Sequence, residues 1–362
     1  MIQDIYAAVH AGSGRRFQCN AMAGGDPASQ GGQASTVRVE EQVDELLEAA
    51  AQHYRKALQA STRARQYLAG RGIGDVAIAH YGLGYARPVW RDLREVLRGF
   101  DAGAIEASGL LVNRHGDAQG PRFDRFRGRI MFPIRSLDGR IRGFGGRAVG
   151  DEFARAKYFN SPESEGFRKR ELVYGLHEAQ DAIRAEGHAV VMEGYIDVIG
   201  TAQAGFDAMV GTLGTACTSA QVQSILDLAP SITFCFDGDE AGQRATLRAL
   251  WTVLPMAING RSFRFARLPA GHDPHSMVRG EGAAAFAACV ERADPLGKAL
   301  NDAVGQGCEL QWAEGRARFA ARAAQAWRRL PAGQEREALL ERTAYATKMS
   351  ASELLDYFGG RA

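Results

Sequence analysis

Along residues 37–58 the apolar positions Val43, Leu46, Leu47, Ala50, Tyr54 and Leu58 recur at three- and four-residue intervals, the spacing of one helix face. Acidic residues lead this segment and Arg55 and Lys56 follow, which suits the helix dipole. Further helices are expected over 61–68 and 89–100. At Arg122 the pattern changes. The short runs Arg129-Ile-Met-Phe-Pro-Ile134 and Arg140-Ile-Arg-Gly-Phe144, separated by Asp138-Gly139 and Gly145-Gly146, predict strands joined by turns.

From residue 187 onward the apolar, partly β-branched runs 189–192, 208–210 and 231–236, and a more mixed one at 263–268, alternate with helical spacing over 198–204, 219–228 and 241–254. Such alternation implies a parallel sheet with helices on both faces. Residues 282–358 read as helical, with a break at Pro331-Ala-Gly333. The expected fold is therefore α+β with an α/β part: a basic mixed α+β segment over 37–186, a parallel-sheet α/β segment over 187–280, and a helical segment over 281–362. Residues 1–36, rich in Gly, Ser, Ala and Gln and lacking periodicity, are expected to be a disordered leader.

Composition bounds the chemistry. At 362 residues, 46% hydrophobic and 24% charged, the chain can bury several cores. It has no apolar run of membrane-spanning length and no secretory layout at its start, so no membrane role is expected and a cytoplasmic location is the default. Five scattered cysteines without a C-x-x-C pair argue against both a disulfide framework and a zinc site. The net charge of +2 gives no global basic signature, yet residues 122–174 concentrate cations. Among them are Arg125, Arg127, Arg129, Arg147, Lys157 and Lys169, interleaved with Phe126, Phe144 and Tyr158. With few acidic residues between them, they are expected to bind nucleic acid or nucleotide phosphate.

The sheet reading gives the acidic residues their meaning. One expected strand runs into Glu193-Gly-Tyr-Ile-Asp197 and another into Phe236-Asp-Gly-Asp239, so these carboxylates leave the same sheet edge, where ligands gather in folds of this class. Magnesium takes hard oxygen ligands and keeps waters, which suits carboxylates converging from neighbouring strand ends. Gly194 and Gly238 are expected to let backbone and phosphate approach, and Ala241-Gly242 to pack the following helix against the sheet. Asp237 and Asp239 could alternatively serve only as turn and cap residues. A further acidic point lies at Asp273-Pro274-His275.

Glu193-Gly-Tyr-Ile-Asp197, Gly211-Thr-Leu-Gly-Thr215, Phe236-Asp-Gly-Asp-Glu-Ala-Gly242 and Leu268-Pro-Ala-Gly-His-Asp-Pro274 together resemble the TOPRIM domain of bacterial DnaG-type primases. Upstream, Tyr67-Leu-Ala-Gly-Arg-Gly72, Asp124-Arg-Phe-Arg-Gly-Arg-Ile-Met-Phe-Pro-Ile134, Gly143-Phe-Gly-Gly-Arg147, Lys157-Tyr-Phe-Asn-Ser-Pro-Glu163, Phe167-Arg-Lys169 and Leu172-Val-Tyr-Gly-Leu176 resemble the basic half of the same polymerase core. The resemblance implies synthesis of a short RNA primer on single-stranded DNA from ribonucleoside triphosphates, during replication at the fork and nucleoid. It implies Glu193, Asp237 and Asp239 as catalytic metal ligands, with Asp197 and Asp273 supporting, and two or more Mg2+ or Mn2+ ions. Arg71, Arg147, Lys157, Tyr158 and Lys169 match positions of nucleotide or nucleic-acid contact, and Arg125, Arg127, Arg129 and Asn160 are expected to track the backbone of the template or heteroduplex.

The chain departs from the family pattern in three places. Where the family has Asp-Pro-Asp this sequence has Asp273-Pro274-His275, which is expected to lower occupancy of one metal position or to favour manganese. A zinc-binding module ahead of the core is expected to be missing, with Cys19 alone. The docking domain for a replicative helicase, the partner the resemblance implies, is also expected to be absent. The competing readings are a degenerate, non-catalytic DNA-binding relative and a TOPRIM nuclease.

Overall fold

The computed structural model describes residues 29–113, 121–150, 156–214 and 217–359, with backbone alone for 29–38. The chain divides into two units, Met1–Arg38 and Val39–Ala362. Helix α1 (Ser29–Ala60) starts before residue 37, so the last residues of the expected leader are helical; residues 1–28 lie outside the described residues. No proline interrupts the segment, and once nucleated a helix extends at little cost per residue. From residue 39 onward the expected segments 37–186, 187–280 and 281–362 fall in the single unit Val39–Ala362.

After α1 come α2 (Thr62–Gly70), capped by the Ser61 hydroxyl, and α3 (Asp75–His80). Strand β1 (Gly84–Ala86) follows. The expected helix over 89–100 is instead a run of turns. Its geometry is captured by side chains: the Leu93 N–H donates to the Asp124 carboxylate at 2.9 Å, while Asp92 pairs with His53 and Arg87. A short helix α4 (Ala102–Ala107) and the ladder of β2 (Leu111–Asn113) with β3 (Arg122–Asp124) lead to β4 (Arg129–Arg135), β5 (Ile141–Ala148) and β6 (Tyr158–Asn160). These form an antiparallel sheet in the order β1-β4-β5-β6.

Both faces of β4 are covered. Met131 packs with Leu46, Leu47 and Tyr54 of α1, whereas Ile130, Phe132 and Ile134 enter the core shared with Tyr195 and Ile196. A strand buried on both faces reads as a continuous apolar run. Gly145 and Gly146, expected in a turn, lie inside β5 and pair with β4 and β6. Their small size serves close packing: a Cβ on Gly145 would stand 2.5 Å from the Tyr195 ring, and one on Gly146 2.9 Å from Phe126.

Asp124 is 2% exposed. Burial, with a smaller contribution from Asp92, pushes its carboxyl up to about 6. Because this exceeds the unfolded value, the native state holds the proton more tightly, and stability falls as pH rises from about 4 to 6. Asp124→Asn, which keeps an acceptor for Leu93, is expected to flatten that slope and to add on the order of 2 kcal/mol above pH 6. Urea midpoints at pH 4.5 and 7.5 check this; parallel shifts in both proteins would contradict it.

The second sheet follows α5 (Leu176–Glu186). In chain order its elements are β7 (His188–Met192), α6 (Tyr195–Gln203), β8 (Met209–Gly211), α7 (Ser219–Leu226), β9 (Ser231–Phe236), α8 (Glu240–Val253) and β10 (Ser262–Arg267). Strands β10, β9, β7 and β8 are parallel neighbours. Alternate residues serve opposite layers: Ala189, Val191, Ile232 and Phe234 meet α5, α7 and α8, whereas Val190, Met192 and Cys235 meet α6. That layer is completed by α9 (Pro274–Glu281) and α10 (Ala283–Glu291).

The predominantly helical reading of the remainder overlooks the edge strand β11 (Asp294–Pro295), antiparallel to β10. Two residues are too few to register as a periodic pattern. Helices α11 (Leu296–Gly305), α12 (Ala313–Trp327), α13 (Gln334–Thr347) and α14 (Ala351–Tyr357) then pack Leu300, Phe319, Ala323, Leu339 and Phe358 onto the outer layer. No described helix is long and apolar enough to cross a membrane.

Candidate active site

Strands β7 and β9 are adjacent and parallel, so Glu193 and Asp237, each just beyond its strand, emerge at one sheet edge. Glu193 Oε1 and Asp237 Oδ1 are both buried and have no hydrogen-bond partner. Withdrawing a carboxylate oxygen from water without a partner is costly. Burial and the neighbouring Asp239 raise the Glu193 carboxyl above its ordinary range, with Arg248 opposing. Asp237 is pushed up to about 7 by burial, then by Glu193, Asp273 and Asp239, with Lys157 opposing. Asp197, on the first turn of α6, also rises to about 7 through burial, Asp273 and Asp237.

Asp239 and Asp273 lie on the same rim and have a second role. Asp239 Oδ1 accepts from Gly242 N at 2.8 Å as the N-cap of α8, and Asp273 Oδ1 accepts from Ser276 N at 2.6 Å as the N-cap of α9. Asp239 thus caps α8, and Asp237 caps no described helix. Each cap engages only Oδ1. Among the described residues no three carboxylate, imidazole or thiol groups stand close enough together to hold a metal ion as placed; the carboxylates share an edge and an electrostatic field.

Each of the three glycines admits a close neighbour. A Cβ on Gly194 would stand 2.3 Å from Asp197 Oδ2, so this glycine admits the carboxylate. A Cβ on Gly238 would meet the Pro269 carbonyl at 2.1 Å, and the Gly238 N–H donates to the His272 carbonyl at 2.9 Å. Gly238 therefore admits the backbone of the loop after β10, the close backbone approach expected there. Gly242 behaves as expected: its Cβ would lie 1.9 Å from the Asp237 carbonyl, so α8 abuts the strand end.

The cationic residues separate into two groups. Arg147, 4% exposed on β5, donates to the hydroxyls of Tyr67 and Tyr158 and lies 4.9 Å from the Tyr158 ring. Arg71 ends α2 with its guanidinium 5.8 Å from the Tyr67 ring. Lys157 is exposed and bears on Asp237. Tyr158 is pushed up to about 12 by burial, Asp197 adding to it and Arg147 opposing. These four residues stand beside the acidic rim. Lys169 is half-buried on the loop before α5, whose start Gln221 ties down through the Lys169 carbonyl.

The residues expected to track a nucleic-acid backbone also make contacts within the fold. Arg125 donates to Gly109 O at 2.7 Å, Arg127 donates to Asp124 O and lies 4.3 Å from the Trp90 ring, and Arg129, 8% exposed, donates to Ala156 O at 2.9 Å. Burial lowers all three guanidinium pKa values. Asn160 donates to Leu213 O at 3.0 Å and accepts from Tyr195 at 2.8 Å, joining the two sheets. The counter-charges for Arg122, Arg135 and Arg142 are Glu106, Glu178 and Asp44, which lie outside the basic stretch, while Arg140 pairs with Asp44 and with Asp138 inside it.

Sequence reasoning missed Arg248 on α8, whose buried Nε has no hydrogen-bond partner and whose charge bears on Glu193. Its signal is a cation flanked by the buried Ala245, Ala249 and Leu250. Tyr67, partner of Arg147, lay within a quoted motif without a role of its own.

Residues 53–180 match the family described as DNA primase catalytic core, N-terminal domain, and residues 190–278 match the Toprim-like family. A Toprim domain implies use of divalent metal. The DNA primase of Pseudomonas aeruginosa is 41% identical over 315 residues, which cover 85% of this chain and 47% of that protein. The chain thus spans about half the length of the curated relatives it matches. The crystal structure of a DNA primase domain from the same organism superposes with a TM-score of 0.82 at 40% identity, covering 88% of this chain and 100% of that one. The structure of a DnaG primase catalytic domain bound to single-stranded DNA gives 0.81 at 35% identity, covering 88% and 99%. With the two halves of the core matched in order and the whole of a solved primase domain covered, the chain belongs to the DnaG-type DNA primase catalytic-core family.

Proposed function

We propose that the chain joins ribonucleoside triphosphates into a short RNA primer on single-stranded DNA at the replication fork. The observation that carries this reading is the pair of buried, unpartnered oxygens, Glu193 Oε1 and Asp237 Oδ1, on one edge with Asp197, Asp239 and Asp273. An all-oxygen donor set of this kind suits Mg2+ or Mn2+ better than zinc. Glu193, Asp237 and Asp239 would hold the ions, with Asp197 and Asp273 beside them. A bound divalent metal supplies charge neutralisation at the attacking and leaving oxygens.

The primer 3′-oxygen bonds to the α-phosphorus of the incoming nucleotide, the bond to pyrophosphate breaks, and the hydroxyl proton leaves. Glu193, its proton affinity raised by burial, is our candidate acceptor for that proton. Lys157 and Arg71, beside the acids, give phosphate groups cationic partners. Arg147 fixes the hydroxyls of Tyr67 and Tyr158 at the same rim. Arg125, Arg127, Arg129 and Asn160 contribute by holding this face in shape, and Lys169 remains a candidate for nucleic-acid contact.

The test is incubation with single-stranded template and labelled ribonucleotides in Mg2+ or Mn2+. Short labelled RNA is expected. Template binding without labelled product under either metal would contradict the reading, and shortened template would point to a nuclease.

A further inference from the structure

His275, standing where the family pattern has an acid, does not sit as a ligand would. Its ring lies on the backbone of α6 at Gly200: a Cβ there would stand 2.1 Å from His275 Cδ2 and 2.8 Å from Nε2. His275 is 6% exposed. Asp197 and Gly200 are three residues apart on α6 and so share a face, and His275 spans both. In the first turn of α9, Pro274 has no N–H and Ser276 donates to Asp273. The His275 N–H is thus among the donors a helix start leaves open, and it bears on the Asp197 carboxylate. The charged groups that bear on the imidazole are Asp273 and the guanidiniums of Arg279, Arg71 and Arg147.

We propose that His275 is a positioning residue and not a metal ligand: its ring, seated on Gly200, fixes the start of α9 and with it the capping Asp273 at the carboxylate rim. The metal is then held by oxygen donors alone, and the expected turn toward manganese through an imidazole ligand does not arise. This rests on the reading of the rim as a metal site. The lost acid is offset by geometry, because a smaller side chain at 275 would leave α6 and α9 without their contact at Gly200.

The test uses Mn2+ alone with the full chain and no nucleotide. Electron spin echo spectra of the wild-type complex are expected to show no 14N imidazole coupling that disappears in His275→Gln; such a coupling would overturn the proposal. This comparison does not require a Gly200 variant to fold. By titration, His275→Ala, which removes the ring from Gly200, is expected to weaken Mn2+ binding about tenfold, and Gly200→Ala, whose Cβ would displace the ring, to do the same. Unchanged affinity in either folded variant would overturn the positioning role while leaving the metal reading intact. Failure of the wild-type chain to bind Mn2+ would overturn that reading and this assignment with it.

Discussion

Asp237→Asn is expected to reduce primer synthesis by about 10³-fold or more while raising the thermal midpoint of the protein in EDTA. The first effect follows from removing a charged oxygen donor, since metal stabilisation of transition-state charge is worth several kcal/mol. The second follows from the same environment. The Asp237 carboxyl sits up at about 7, driven by burial and by Glu193, Asp273 and Asp239. That is above the unfolded value, so the native state favours the proton, and stability is lost as pH climbs from about 4 to 7. Asparagine removes the charge and keeps the shape. Above pH 7 the gain is expected to be on the order of 2 kcal/mol, discounted for partial solvent screening, and to shrink toward pH 4. Calorimetry at pH 5 and pH 8 in EDTA, paired with a primer assay, checks both. A variant less stable than wild type at pH 8, or one that retains synthesis, would contradict the assignment.

The second large effect is expected at Gly242. An added Cβ would stand 1.9 Å from the Asp237 carbonyl, and neither α8 nor β9 can yield without disturbing the core at Phe236 and Ala245. Gly242→Ala is therefore expected to cost about 3 kcal/mol and to shift the Gly242 N–H away from the Asp239 cap. Denaturant unfolding measures the cost. A near-neutral change would mean that the turn relaxes freely and that α8 does not fix the acidic edge.

The acidic edge was legible because it depends on local facts: strand-forming runs followed by acids, in segments whose alternation with helices dictates parallel neighbours. The cap at Asp239 was legible as an alternative, since a cap and a ligand draw on the same residue type at the same place, whereas the cap at Asp273 was not read. The basic face was less legible. Sequence shows that Arg125, Arg127 and Arg129 are cations, but not that the carbonyls of Gly109, Asp124 and Ala156 lie within their reach. The partners of Arg125 and Arg129 lie 16 and 27 residues away and so arise only with tertiary structure, whereas that of Arg127 is a local turn carbonyl. The same limit applies to Gly145 and Gly146, whose signal is shared by turns and by strands pressed against an aromatic ring. It also applies to 89–100, where Asp124 takes a backbone donor that a helix would have used itself. His275 is the opposite case. The departure from pattern was visible, but its consequence depends on Gly200, whose proximity no sequence spacing reveals.

Glu193 and Asp237 are proposed to hold the divalent metal for primer synthesis, and anomalous diffraction from crystals soaked in MnCl2 can locate it. A manganese peak is expected about 2.0–2.4 Å from Glu193 Oε1 and Asp237 Oδ1, absent in Asp237→Asn. A peak elsewhere on the molecule, or the same peak persisting in the variant, would contradict it.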